Sequence, residues 1–386
     1  MALVSRLRSL RRDLAAVAAT LTGRPTAPVA RQATPAASLT PRRLRIAKIV
    51  RETADAVSIV LEDPNGEPIP FSPGQFFTLH VPIGGEVHKR AYSASSSAHD
   101  GTRVSVTVKR VADGRVSRHL VGHAHEGDAI DVLGPSGSFT PAAAKGPRLL
   151  VLIGGGSGVT PLASIARTLL ASEPDTRIAL VYGNGSLEEV IFKDALDALA
   201  SEHAGGAARF RVRHVLHRPP PEWTGGVGLL DGDALARELD ALGDVEASSA
   251  EYFLCGPAPM MAAARACLEK RGVAPSSIRE ERFVSAHAMA GAPASTGAQE
   301  VTLRTRDGER RVTVAPGRTV LETALDDGID MPFSCAVGGC GTCRVRLIAG
   351  GVVMDEPNCL SADERAEGYV LACVSRPTSP CTLDVP

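Results

Sequence analysis

Residues 149–170 read LLVLIGGGSGVTPLASIARTLL. The apolar run Leu149 to Ile153 is short and ends on glycine, as a fully buried strand does. Gly154, Gly155, Gly156 and Gly158 follow it, and Thr160-Pro161 opens a helical stretch. Proline is cheap in a first helical turn, because its missing N–H would be unpaired there anyway. A strand, a glycine loop and a helix start together bring free N–H groups and the helix dipole to one point. A phosphate binds there, and glycine lets a pyrophosphate approach the backbone. A glycine run alone also serves as a plain turn. Here the nucleotide reading gains from a second loop, Cys255-Gly256-Pro257, at the end of another strand-like run.

Outward from this unit, Pro147 to about Phe283 alternates apolar strand-like runs (RLLVLI, RIALVYG, FRVRHVL, AEYFLCG) with helical ones (PLASIARTLLAS, LEEVIFKDALDALASE, DALARELDAL, PMMAAARACLEKRG). That alternation predicts an α/β domain, a parallel sheet covered on both faces. Upstream, Arg42 to about Thr140 holds short alternating segments separated by PNGEP, PIGGE, ADG and EGD turns. This spacing predicts a small antiparallel β-barrel. Downstream, residues 284–298 are a small-residue linker. EVTLRTRDGERRVTV then reads as a hairpin with DG at its turn. The expected division is 1–41, 42–143, 144–283, 284–298 and 299–386.

The last segment carries the most specific chemistry. Cys335, Cys340 and Cys343 lie in CAVGGCGTC, and Cys373 follows in YVLACVSRP. A C-x4-C-x2-C loop with a lone fourth cysteine about thirty residues on is the plant-type ligand spacing of a [2Fe–2S] cluster. Gly338, Gly339 and Gly341 let the loop wrap tightly and aim N–H groups at sulfur. A zinc site would usually pair its cysteines as two close knuckles. A one-electron centre implies a supplier of electrons elsewhere in the chain.

With 386 residues and 44% hydrophobic content, the chain can bury several cores. The formal net charge of −1 suggests no nucleic-acid partner. Of eight cysteines, the four outside the cluster motif (Cys255, Cys267, Cys359, Cys381) are scattered, which fits a reducing, cytoplasmic setting better than a disulfide framework. No apolar run reaches the ~18 residues of a spanning helix. Leu3, Leu7, Leu10, Leu14, Val17 and Leu21 form a helical stripe among Arg6, Arg8, Arg11 and Arg12, before a Pro/Ala/Thr-rich stretch from Arg24 to Pro41. Three readings of residues 1–22 stay open: a helix docked on the chain itself, a basic helix for a membrane surface or partner, and a transit or twin-arginine signal.

Two further motifs, Arg90-Ala91-Tyr92-Ser93 and Gly114-Arg115-Val116-Ser117, are ordinary surface stretches when taken alone. With the glycine loop, the Cys-Gly-Pro turn and the cysteine motif, in this order, the chain resembles the ferredoxin–NADP reductase superfamily with a C-terminal plant-type ferredoxin domain. The likeness covers about residues 42–386 and is greatest to reductase components of bacterial oxygenases. It implies an FAD-binding barrel, an NAD(P)-binding domain and an α+β, β-grasp-like ferredoxin domain. It also implies electron flow from NAD(P)H through FAD and the [2Fe–2S] cluster to a separate oxygenase or hydroxylase.

The resemblance implies residue roles too. Arg90 meets the flavin phosphate, Tyr92 packs on the isoalloxazine, and Ser93 offers a hydroxyl near the hydride-accepting nitrogen. Gly114, Val116 and Ser117 hold the FAD diphosphate by backbone and hydroxyl. Gly155, Gly156, Gly158 and Thr160 hold the coenzyme, with Cys255 and Gly256 beside the nicotinamide. Glu281 and Phe283 match the family's acid and terminal aromatic near the flavin. Two positions depart from the family pattern: Ala336 replaces a residue often basic, and Gly185 an Arg often found after the YGN turn. No acid ends that strand to grip a ribose 2′-OH, and Arg218 matches a position that meets a 2′-phosphate, so NADPH is the expected coenzyme. Two other functions remain to be weighed: service to a membrane-bound desaturase, which the basic N-terminal stripe favours, and a redox sensor or scaffold with a structural cluster.

Overall fold

The computed structural model describes residues 41–143, 146–205, 208–243, 250–283, 297–333, 335–355, 358–360 and 362–386. The expectations for residues 1–40 and for most of the linker 284–298 lie outside them.

The first sheet is antiparallel and six-stranded, from β1 (Arg42–Thr53), β2 (Ala56–Glu62), β3 (Phe76–Ile83), β4 (Glu86–Ser93), β5 (Arg103–Lys109) and β6 (Ala129–Ser136), in the order β4-β3-β6-β1-β2-β5. It curls on itself, and a bridge between Ala94 and Val106 joins its two ends. Leu44, Ile59, Leu61, Phe77, Leu79 and Val106 fill the interior. Helix α1 (Arg115–His123) interrupts what the sequence read as an all-β stretch. Its buried face, Val116, Leu120 and Val121, packs on the same core.

The second sheet is built from β7 (Arg148–Gly155), β8 (Thr176–Asn184), β9 (Phe210–Leu216), β10 (Gly226–Val227), β11 (Ala250–Cys255) and β12 (Ile278–Glu281). The order is β10-β9-β8-β7-β11-β12 and every pairing is parallel. α2 (Val159–Ser172), α3 (Lys193–Glu202), α4 (Gly232–Leu242) and α5 (Ala258–Lys270) cover it. The apolar run Leu149 to Ile153 of β7 is explained by helices on both faces: Leu150 and Leu152 pack with Leu162 and Ile165 of α2, while Val151 and Ile153 pack with Leu235 of α4 and Leu268 of α5. The segment LEEVIFKDALDALASE is not one helix as expected. Leu187–Glu189 is a single 3₁₀ turn, Val190 to Phe192 dive into the core, and Phe192 sits at φ 62° before α3 begins. Burying three consecutive side chains is incompatible with a surface helix stripe.

The third unit holds β13 (Gln299–Thr305), β14 (Gly308–Val314), α6 (Val320–Asp326), β15 (Arg344–Ala349), β16 (Val352–Met354), α7 (Ala362–Ala366), β17 (Tyr369–Leu371), β18 (Ser375–Pro377) and β19 (Cys381–Asp384). Its main sheet runs β14-β13-β19-β15-β17, with β13 and β19 parallel, and β16 pairs with β18 separately. The β13–β14 hairpin turns between Thr305 and Gly308, as the DG signal predicts. Thr319 and Glu322 form a capping box at the start of α6.

Candidate functional site

A cleft of about 470 Å³ lies between barrel and parallel sheet. Arg90, Tyr92 and Ser93 of β4, Thr107 and Lys109 of β5, and Gly114 to Ser117 line its barrel side. Burial pushes the Tyr92 phenol above its ordinary value. Gly114 caps α1 and, being a glycine, offers no side chain to the free N–H groups of the first turn. A Cβ on Gly114 would stand 2.4 Å from Ser117 Oγ. The Ser117 hydroxyl accepts from the Val111 amide at 3.1 Å and donates to the Gly114 carbonyl at 3.2 Å. It is committed to the loop, so the first-turn amides are what remains to hold an anion.

Ser157 and Thr160 close the same cleft from the parallel sheet. The loop between β7 and α2 is therefore shared by both halves. Thr160 donates to the Ser157 carbonyl at 3.0 Å, and the Tyr182 hydroxyl donates to the Gly156 carbonyl at 2.9 Å. Gly156 has φ +53°. Gly155 and Gly256 are pressed together, since a Cβ on Gly256 would meet the Gly155 nitrogen at 3.0 Å. Gly158 touches the neighbouring loop more closely: a Cβ there would lie 2.1 Å from the Cys255 carbonyl oxygen. Cys255 is fully buried, and burial, reinforced by the charge of Glu281, pushes its thiol well up. In register, Cys255 stands between Gly154 of β7 and Glu281 of β12.

The cysteine loop lies between α6 and β15, with Cys373 just past β17. The Val337 and Gly339 amides donate to Cys335 Sγ at 3.4 and 3.3 Å, and the Gly338 amide to Cys373 Sγ at 3.2 Å. Gly338 and Gly341 take φ +75° and +72°, and Ala336 takes +54°, a conformation that costs an L-residue about 1–2 kcal/mol. The four thiols cannot all ionise unaided. Hydrogen bonds from Cys340 and Cys373 hold Cys335 low, a bond from Cys373 holds Cys343 low, and the same bonds push Cys340 and Cys373 up. A cationic iron–sulfur core would supply the missing counter-charge, and the aimed amides would stabilise sulfur charge. Among the described residues, no three His, Cys, Asp or Glu converge as ligands of a single ion.

Between the cleft and this loop lies a cavity of about 80 Å³. Arg90, Ser93, Glu281 and Phe283 line one side, and Cys335, Val337 and Cys340 the other. Phe283 borders both spaces. Burial and then the charge on Cys335 push the Glu281 carboxyl up to about 7. Arg218 stands apart, at the ends of β8 and β9, with 64% of its side chain exposed. Its guanidinium meets Glu189 Oε1 at 2.8 Å, and its amide donates to the Gly185 carbonyl.

Residues 43–140 match the oxidoreductase FAD-binding domain family, 152–266 the oxidoreductase NAD-binding domain family, and 304–378 the 2Fe-2S iron-sulfur cluster binding domain family. The chain is 37% identical over 353 residues to the ferredoxin reductase component of 3-ketosteroid-9-alpha-monooxygenase of Mycobacterium tuberculosis, covering 87% of this chain and 93% of that protein. It is 32% identical over 354 residues to the glycine betaine monooxygenase reductase of Pseudomonas aeruginosa, covering 88% and 94%. The solved structure of phthalate dioxygenase reductase matches with a TM-score of 0.61 at 26% identity, over 89% of this chain and 97% of that one. The chain belongs to the ferredoxin-reductase-type reductase components of oxygenases.

As such a reductase, it is an NAD(P)H oxidoreductase with FAD and [2Fe–2S] centres that serves electron transfer to an oxygenase. Several residues at its site escaped the sequence reading. Thr107 and Lys109 line the cleft between barrel and parallel sheet, and Lys109 Nζ lies 3.9 Å from Glu189 across the barrel boundary. Glu189, five residues past the end of β8, folds back over Gly185, so an acid does reach the turn that lacks one in sequence. Phe76 and Thr78 face the cysteine loop. QFFTLHV carries no local signal that would have found them.

Proposed function

We propose that this reductase takes electrons from NADPH and hands them to a diiron or Rieske centre in a separate oxygenase or hydroxylase. In this reading residues 42–143 hold FAD, 144–283 the coenzyme and 299–386 the cluster, on Cys335, Cys340, Cys343 and Cys373. When bound, the flavin accepts a hydride and the cluster passes electrons one at a time. Arg90 and the α1 amides bind the FAD phosphates, Tyr92 orients the ring, and Ser93 presents its hydroxyl at the reacting edge. Gly155, Gly156, Gly158 and Thr160 seat the coenzyme phosphates, and Cys255 with Gly256 borders the nicotinamide. Glu281 serves as the acid, and Phe283 as the terminal aromatic, beside the flavin.

The observation that carries this reading is the shared cavity: residues assigned to the flavin line one wall and cluster cysteines the other. Cys373→Ser tests it. The variant should lose reduction of its oxygenase while oxidising NADPH with ferricyanide at the native rate, because that dye draws electrons from the flavin. A Cys373→Ser protein with a full cluster and normal oxygenase turnover would refute the assignment. The basic stripe of residues 1–22 supports a second acceptor, a membrane-bound desaturase, with peripheral membrane contact through that stripe. No helix among the described residues is long and apolar enough to cross a membrane.

A further inference from the structure

The first half of β3 is buried on both faces. Phe77, Leu79 and Val81 fill the barrel core. Phe76 and Thr78 point the other way, yet they are 4% and 1% exposed. The cysteine loop covers them. Phe76 lines the junction cavity with Cys335, Val337 and Gly339. The Thr78 hydroxyl donates to the Cys335 carbonyl at 3.0 Å, linking positions 257 residues apart.

This hydrogen bond has a particular place in the molecule. Thr78 pairs in register with Ala91, between Arg90 and Tyr92 at the flavin cleft. Cys335 begins the loop whose Val337 and Gly339 amides aim back at its own sulfur. One hydroxyl thus ties the strand paired with the flavin-facing strand to the first ligand of the cluster. A second tie among the described residues, Lys89 Nζ to Glu322 Oε1 at 3.5 Å, is partly exposed and screened by salt. A buried hydrogen bond fixes orientation far better, and losing it strands a desolvated carbonyl.

We propose that Thr78 is a positioning residue for internal electron transfer: its hydroxyl pins the Cys335 carbonyl and holds the cluster loop against the wall formed by Arg90, Ser93 and Phe283. The proposal rests on Cys335 being a cluster ligand, which iron and sulfide content of the wild-type protein tests separately. Transfer between two fixed centres depends steeply on their placement, so a small slackening of the loop slows that step alone.

The test uses the holoprotein with Thr78→Val, which keeps the shape and removes the donor, and Thr78→Ser, which restores it. After rapid anaerobic mixing with reduced coenzyme, Thr78→Val should bleach its flavin within about twofold of the native rate and its cluster about tenfold more slowly, the scale of loss that a small misplacement of reacting groups produces. Hydrogen exchange at the Val337, Gly338 and Gly339 amides should rise. Thr78→Ser should return both measurements to native values. Native cluster reduction in Thr78→Val, an equal slowing of flavin and cluster, or a serine variant no better than valine overturns the proposal. Loss of cluster or flavin from Thr78→Val also overturns it, by making Thr78 a folding residue.

Discussion

We propose that Arg218 and Glu189 set coenzyme choice by competition at one guanidinium. Arg218 is well exposed and paired with Glu189 at 2.8 Å, so the pair itself contributes under about 1 kcal/mol and exchanges easily. A 2′-phosphate brings more charge and two oxygens that the same fork can hold bidentately, a contact of about 1.5–3 kcal/mol. Arg218→Ala should therefore raise the KM for NADPH about tenfold and leave NADH nearly unchanged. Glu189→Gln should act in the opposite sense, lowering the KM for NADPH by removing the resident carboxylate. Steady-state kinetics with both coenzymes decides the matter. Equal effects of Arg218→Ala on NADPH and NADH would show that this side chain does not read the phosphate.

At the level of elements, the contact between the β7 loop and the end of β11 shapes the proposed coenzyme site. Gly158 faces backbone atoms of Cys255 and Gly256, which cannot rotate away as a side chain could. Gly158→Ala should force the two loops apart at a cost of about 1–3 kcal/mol. Coenzyme binding and hydride transfer should weaken about tenfold or more, while flavin content stays near native because the FAD cleft is built mainly by the barrel. Titration of the coenzyme and the rate of flavin bleaching measure this, and native values for both would contradict it. This loop was legible in sequence because its information is local: an apolar strand, glycines and a helix start stand next to one another. The cysteine loop was legible for the same reason, since ligand spacing is a local property. α3 was misjudged because Val190, Ile191 and Phe192 fit a helical stripe until the tertiary core claims all three. Thr78 was invisible for the opposite reason. Its role exists only through a partner 257 residues away, and nothing in QFFTLHV says that a second surface covers the strand.

Across the whole molecule, every residue assigned to flavin, coenzyme or cluster lies between Arg90 and Cys373. The barrel and the parallel sheet share one cleft, and the barrel and the cysteine loop share the cavity beside it. Electron flow thus uses surfaces internal to residues 42–386. The apolar stripe of Leu3, Leu7, Leu10, Leu14, Val17 and Leu21, with the basic face beside it, contributes nothing to that assigned set, so its role should be external. A chain lacking Met1 to Thr40 should keep native flavin and cluster content and reduce cytochrome c within about twofold, a change under ~0.5 kcal/mol in barrier. The full chain should bind vesicles containing anionic phosphatidylglycerol more tightly than the truncated one. That difference should shrink as salt rises, because a basic face on an anionic surface is screened over a Debye length. Equal vesicle binding by the two chains would remove the membrane reading. Loss of flavin or of folding on truncation would instead place the stripe on the reductase's own surface, covering an apolar patch.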